Sequence, residues 1–576
     1  MFGRVCQRAR RAPLFFRVGQ HIIGSSHHPE GDLFMTFGTF AAGRAGAPAA
    51  AAPPRETLSG NFLKITGDGF RRGELQGLRL RDGALRLRAA GEGSWTSPIY
   101  YTQDFNDLVV SWNSDTPEGT WVELSARAWL PARQHWTCWL SWGRWSTRIA
   151  RASVRGEDEY CWANSVPGCG DSTLNLKDDL VAGAFQLRAV LHADAEAACP
   201  SLRLAAASFK NTADPDWPQT CALSEPEVPE MKSVLLDTPA FSQRCRAPEY
   251  AGVICSATCI AMQLCGRGED VLPEDIALLA YDHGYGGNGN WSFSTAAAGA
   301  FGYESYVHYM SFKGLRQELT RGCAVALSVK YGREKEGKYP YWENALTDTG
   351  GHLILAVGYR FDEARGEYVY LINDPFTPSD AETAHREFPE SQLRAAWYRR
   401  AAYLVHDKTG SGAAAQTRVF AVLRPVAGRP DCWAVVWDGR FLPVPADFCA
   451  EPRRTPEHGT IFCTLEGDWR PLPEGVRRMT GNLAGRYEGL SVTPEGWLRF
   501  ENDIPARAAR EGKTFTVHVI GNTGRAVMAL AEPYAKPYQP GEAPKPSRAG
   551  RLWRWVLPVG LAAAATVAFF HGRHKK

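Results

Sequence analysis

The chain has 576 residues, 44% hydrophobic and 22% charged, an ordinary globular profile at a length beyond one core, so three or four domains are expected. Its 65 basic and 62 acidic residues leave a formal charge of +3, with no basic footprint of the kind that binds nucleic acid, and no nucleic-acid partner is expected. The 14 cysteines include no CxxC pair, which argues against a zinc ribbon or a thioredoxin-type site; no metal and no cofactor are expected.

Residues 1–56 form a low-complexity segment expected to be disordered. Its apolar stretch is too broken by Arg and His for a signal-peptide core, and Met35 is an alternative start. From 57 to 213, short alternating runs broken by Gly, Pro, Asn and Asp predict a β-sandwich; LRLRDGALRLRA at 78–89, with its DG turn, is one example. Trp136, Trp139, Trp142 and Trp145 crowd one stretch and are expected in its core rather than on a ligand platform. The cysteines are expected mostly as free thiols, with a disulfide involving Cys161 and Cys169 left open. A Pro- and Glu-rich boundary at 214–231 precedes a block of mixed helical and strand patterns, 233–410. Alternation resumes in a β-rich domain, 416–535, followed by a Pro-rich linker, 536–551.

The run 552–571 predicts a single-pass transmembrane helix. Its 16 residues 555–570 carry no charge. Leu552 and Trp553, with Arg554 snorkelling, bring it into the range of about 17–25 residues that spans a bilayer. Arg548, Arg551 and Arg554 balance Arg573, Lys575 and Lys576 across it, so the expected anchor, at the cell surface, has no assigned orientation.

The chemistry lies in 233–410. In GVICSATCIAMQLCG, the apolar Ala257, Ile260, Ala261 and Leu264 follow helical spacing and predict an amphipathic helix with Cys255 at its start. The free N–H groups and dipole of a helix start stabilise a thiolate. HLILAVGYRF and EYVYLINDP, joined by DEARG, predict an antiparallel hairpin. His352 opens its first strand and Asp374 closes the second. Both lie eleven residues from 363, so the two are expected to face each other across the hairpin. A carboxylate there holds the tautomer of an imidazole whose other nitrogen meets the thiolate. Gln243, at the end of the strand-like run SVLLDTPAF, offers an amide that can join the Cys255 N–H in an oxyanion hole.

These pieces resemble the papain-like cysteine peptidases related to bacterial bacteriocin-processing, double-glycine leader peptidases. The resembling residues are FSQ at 241–243, CSAT at 255–258, GNWSFSTAAAGAFG at 289–302, GGHLILAVGY at 350–359 and INDPF at 372–376. The resemblance implies an α+β peptidase domain with Cys255, His352 and Asp374 as catalytic triad and Gln243 as oxyanion donor, acting on a peptide substrate. It also implies that the neighbourhood of Asn290 and Trp291 lines the substrate groove. SPIYYTQDFNDLVVSWNSDTPEGTW and WGRWS resemble the β-sandwich that often precedes this domain. The chain departs from the family pattern at Ala257, where proline is commoner, and at Cys259, a second thiol one turn from the first. No GxxxxGK[ST] motif occurs, so the ATP-binding cassette of the leader-processing transporters is missing. The same triad would also serve acyl transfer or isopeptide chemistry, and a catalytically silent surface binding or adhesion protein is the other alternative.

Overall fold

The computed structural model describes residues 55–541, apart from internal stretches of which 164–172, 246–251, 413–418, 445–459 and 481–489 are the longest. The segment expected to be disordered, the expected membrane helix and most of the Pro-rich linker lie outside the described residues. Among the described residues no helix is long and apolar enough to cross a membrane.

The N-terminal part is β-rich, with two eight-stranded sheets. Asp82 and Gly83 take φ of 53° and 73°, the left-handed pair that a two-residue hairpin turn requires, and they join Leu78–Arg81 to Ala84–Leu87. The strand β1 (Asp107–Asp115) pairs antiparallel with β2 (Ser201–Lys210) in one sheet, while the strand after β1, Thr120–Leu130, joins the other sheet. Phe105 and Phe185 of one sheet and Phe209 of the other meet at ring separations of 5.4–6.1 Å, joining both sheets through one core.

The tryptophan-rich stretch divides between core and surface. Trp142 and Trp145 are fully buried, although residues three apart on a strand face opposite ways. A bulge between Ser141 and Arg144, with Gly143 at φ 87°, turns both inward. Trp136 and Trp139 are half-buried and flank the Arg127 guanidinium at 4.5 and 4.8 Å. The cysteines among the described residues whose state is defined are free, Cys161 included; Cys169 lies outside them.

The central domain is α+β. Three helices, α1 (Cys255–Gly266), α2 (Pro273–Ala280) and α3 (Trp291–Ala300), precede the strand β3 (Tyr303–Tyr309) and the helix α4 (Phe312–Thr320). Then come β4 (Val325–Tyr331), β5 (Thr349–Asp362), β6 (Glu367–Asn373) and β7 (Trp397–Lys408). The antiparallel sheet runs β3-β7-β4-β5-β6 and ends on Arg386–Pro389, with Ser233–Leu235 pairing β5. The spacing predicted an amphipathic α1, but every residue from Ser256 to Cys265 is buried. Its polar side chains are each paired instead. Ser256 Oγ meets Ser294 Oγ at 2.8 Å, Thr258 Oγ1 donates to Ile254 O, and Gln263 Nε2 donates to Ala324 O and Tyr403 O.

The β-rich and central domains share one core. Phe293 of α3 packs edge-on against Trp112 and Trp145, at 5.9 and 5.3 Å. The outer edge of β3, which would otherwise present unpaired backbone, is covered by side chains of the β-rich domain. The Asn113 amide donates to Ser305 O and accepts from Ser305 N–H, at 2.7 and 3.0 Å. Ser111 Oγ accepts from Val307 N–H, Ser208 Oγ from Tyr309 N–H, and Asn61 Nδ2 donates to Tyr309 O. Four side chains thus take the place of a neighbouring strand. Below them Asp107, 1% exposed, binds Lys210 at 3.2 Å, Arg399 at 2.8 Å and the Tyr309 hydroxyl at 2.6 Å.

Gly299 of α3 faces this junction, and a Cβ there would lie 2.5 Å from Asn113 Nδ2. Because Asn113 is held on both sides by Ser305, it has nowhere to go. Gly299→Ala is therefore expected to cost about 1–3 kcal/mol, read as a lower midpoint of chemical denaturation. An unchanged midpoint would mean that the junction yields.

A further eight-stranded sheet lies C-terminal to these domains. Its strand Val419–Val426 runs parallel to Ala526–Ala531, so the two ends of the segment meet side by side.

Candidate active site

The helix α1 begins at Cys255, with Ile254 as N-cap in a non-helical conformation. The thiol therefore sits at the positive end of the helix, half-buried. Burial alone would raise its pKa. The hydrogen bond and charge of His352, with N–H groups of Leu353 and Ser256, outweigh that and hold it below the ordinary thiol value.

His352 lies on β5 and is 5% exposed. Its Nε2 meets Asp374 Oδ1 at 2.9 Å, which leaves the other ring nitrogen for the thiol. Burial opposes protonation, but the bonds to Asp374 and Cys255 raise the imidazole pKa to about 10. Asp374, also 5% exposed, stays ionised for the complementary reason. Burial would raise its carboxyl, while His352, the Phe376 N–H at 3.0 Å and the charge of Arg386 keep it low. The imidazole is gripped edge-on by Tyr331 and Phe376, at 6.1 and 6.0 Å. Thiol, imidazole and carboxylate stand in a chain along which a proton can pass.

The hairpin is present, but its register differs from the symmetric one. Asp362 pairs Glu367 and Tyr359 pairs Tyr370, then a bulge at Val357 shifts the ladder so that Leu355 pairs Asn373. Backbone pairing thus sets His352 opposite Val329 of β4, not Asp374. Asp374 lies just past the end of β6 and reaches the imidazole from the following turn. Continued, the register of the hairpin would set residue 376 across from 352, which is where the Phe376 ring touches the imidazole.

Gln243 does not end a strand; the strand stops at Leu235, and Gln243 opens a 3-10 turn, Gln243–Cys245. The turn is fastened to the segment after Asp374. The Gln243 N–H donates to Pro375 O at 2.7 Å, Ser242 N–H donates to Asp380 Oδ1, and Ser242 Oγ donates to Thr377 O. Gln243 is buried at 1% exposed, held by its backbone to the residue that follows Asp374.

Asn290 and Trp291 are both buried. The Asn290 side chain caps α3 by accepting from Phe293 N–H and donates to Asp282 Oδ2 at 2.7 Å. Asp282 in turn accepts from Ser153 N–H of the β-rich domain. This motif anchors α3 and sets Phe293 against Trp112 and Trp145. Cys259 is fully buried, and burial with the charges of Cys255 and Asp374 drives its pKa well up, so it stays a neutral thiol. Tyr331, Phe376 and Arg386 were not foreseen. Only Phe376, within INDPF, had a signal in the sequence.

Residues 58–209 match a family model described as Peptidase C39 N-terminal domain, and residues 235–405 match the Peptidase_C39 like family. No curated protein matches the chain. Among solved structures, digestive procathepsin L 3 of the Tenebrio molitor larval midgut is 16% identical over 32% of this chain and 74% of that one. The TM-score is 0.24, a superposition too loose to bear on fold or function. Residues 235–405 are thus similar to the peptidase C39-like family, and residues 58–209 to the Peptidase C39 N-terminal domain.

Proposed function

We propose that this chain is a cysteine peptidase that hydrolyses peptide bonds with Cys255, His352 and Asp374, held at a membrane surface by the segment 552–571. The observation that carries the reading is the linked set at the start of α1: a thiol held below its ordinary pKa by an imidazole that a buried carboxylate keeps charged. The Cys255 thiolate attacks the peptide carbonyl carbon and forms the C–S bond. The oxyanion is held by the Cys255 N–H and the Gln243 amide. As the C–N bond breaks, the His352 imidazolium gives its proton to the leaving amine. Water then attacks the thioester, His352 takes its proton, and the thiolate departs.

Alkylation by iodoacetamide tests the nucleophile. The wild-type chain is expected to react rapidly and stoichiometrically at pH values below the ordinary thiol range, and Cys255→Ala to lose that fast phase together with all peptide hydrolysis. Fast labelling that persists at Cys259 or Cys265 in the variant would falsify the assignment. A membrane-impermeant thiol reagent applied to intact cells tests the anchor: Cys255-dependent labelling is expected only if the domain faces outward.

A further inference from the structure

The peptidase reading leaves the substrate open, and one side of the site narrows it. In the reaction above, His352 protonates the departing amine, so the residues released with that amine must pass the imidazole. Next to the imidazole stands the Phe376 ring, and over that ring, at 5.3 Å from its centroid, lies the guanidinium of Arg244. Arg244 directly follows Gln243 in the 3-10 turn, and it is exposed while Ser242 and Gln243 are buried. No carboxylate pairs with it among the described residues. A second guanidinium, Arg386, lies on the Asp374 side of the imidazole, where its side chain donates to Asn344 O at 3.0 Å and its charge acts on Asp374. Within the reacting set itself, the charge of Asp374 is already committed to His352. Arg244 therefore stands beside the imidazole with no acidic partner among the described residues, and Arg386 shares the Asp374 carboxylate with His352.

We propose that Arg244, backed by Arg386, selects substrates that present a carboxylate just beyond the scissile bond. The carboxylate is either an acidic side chain on the first released residue or the free carboxyl end of a short released segment. A planar guanidinium stacked on an aromatic ring keeps its edge free for a carboxylate, which suits it to this role better than a mobile ammonium. This inference rests on the peptidase reading.

The test uses the full chain on two random-sequence peptide libraries, one with amidated and one with free carboxyl ends, and identifies the newly formed N-termini by mass spectrometry. Wild type is expected to enrich Asp and Glu as the first released residue by about five- to tenfold over neutral residues. Arg244→Lys should keep that bias, and Arg244→Glu should reverse it towards Lys and Arg. Enrichment in the amidated library assigns the carboxylate to a side chain. Enrichment confined to cuts near a free carboxyl end assigns it to the terminus. Cleavage without acidic bias, or a bias that Arg244→Glu leaves in place, overturns this inference alone. A wild type that cuts no more than Cys255→Ala overturns the peptidase reading and this one with it.

Discussion

Replacing Asp374 with Ala is expected to lower kcat by roughly three to four orders of magnitude and to move the alkaline limb of activity from about pH 10 towards neutrality. His352 is raised because hydrogen bonds to Asp374 and Cys255 outweigh a burial that opposes its charge. Without the carboxylate, burial prevails and the imidazolium loses its proton at lower pH. The thiolate loses its counter-ion at the same time, so at neutral pH the pair reverts to neutral thiol and neutral imidazole. The sign is therefore fixed: wild type holds activity as pH rises until about 10, and the variant loses it earlier. Hydrolysis and alkylation rates measured between pH 5 and 10.5, limits chosen to bracket both limbs on the usual thiol and imidazole scale, give the comparison. An alkaline limb that stays in place would mean that Asp374 does not set the charge of His352.

The second large effect lies away from the site. Asp107→Ala is expected to destabilise the chain by about 3–5 kcal/mol, because it leaves Lys210, 2% exposed, and the Arg399 guanidinium without their shared anion. By the usual scaling that is a fall in Tm of roughly 10 °C. Lys210→Met in the same chain should recover part of the loss, since it removes one of the stranded charges. If the double variant is no more stable than Asp107→Ala, the cost comes from lost packing rather than from buried charge.

What could be read from the sequence divides by distance along the chain. The helix start at Cys255, the hairpin joining β5 to β6 and the DG turn at 82–83 are local events, set by spacing, alternation and a left-handed dipeptide. The register of that hairpin was not legible, because the bulge at Val357 leaves no residue signal and moves the ladder by one. His352 and Asp374 nevertheless meet, since Asp374 reaches the imidazole from the turn and needs no cross-strand partner. The helical spacing in α1 suggested one apolar face, but Ser256, Thr258 and Gln263 are buried through hydrogen bonds to distant segments that spacing does not reveal. Asn290 and Trp291 were expected at the groove. Through Phe293 their segment meets Trp112 and Trp145, and through Asp282 it meets Ser153, contacts about 130–180 positions apart that no local pattern anticipates.

The side chains along β3 have a consequence for how the molecule holds together. Asn61, Ser111, Asn113 and Ser208 grip the backbone of β3 from outside the sheet, and Asp107 ties Arg399 beneath them. None of these links passes through the chain between 211 and 232. Covalent continuity is thus incidental to the union of the two domains: a nick in that connection would cut the polypeptide and leave the pair assembled, with the Cys255 thiol still seated on the same scaffold.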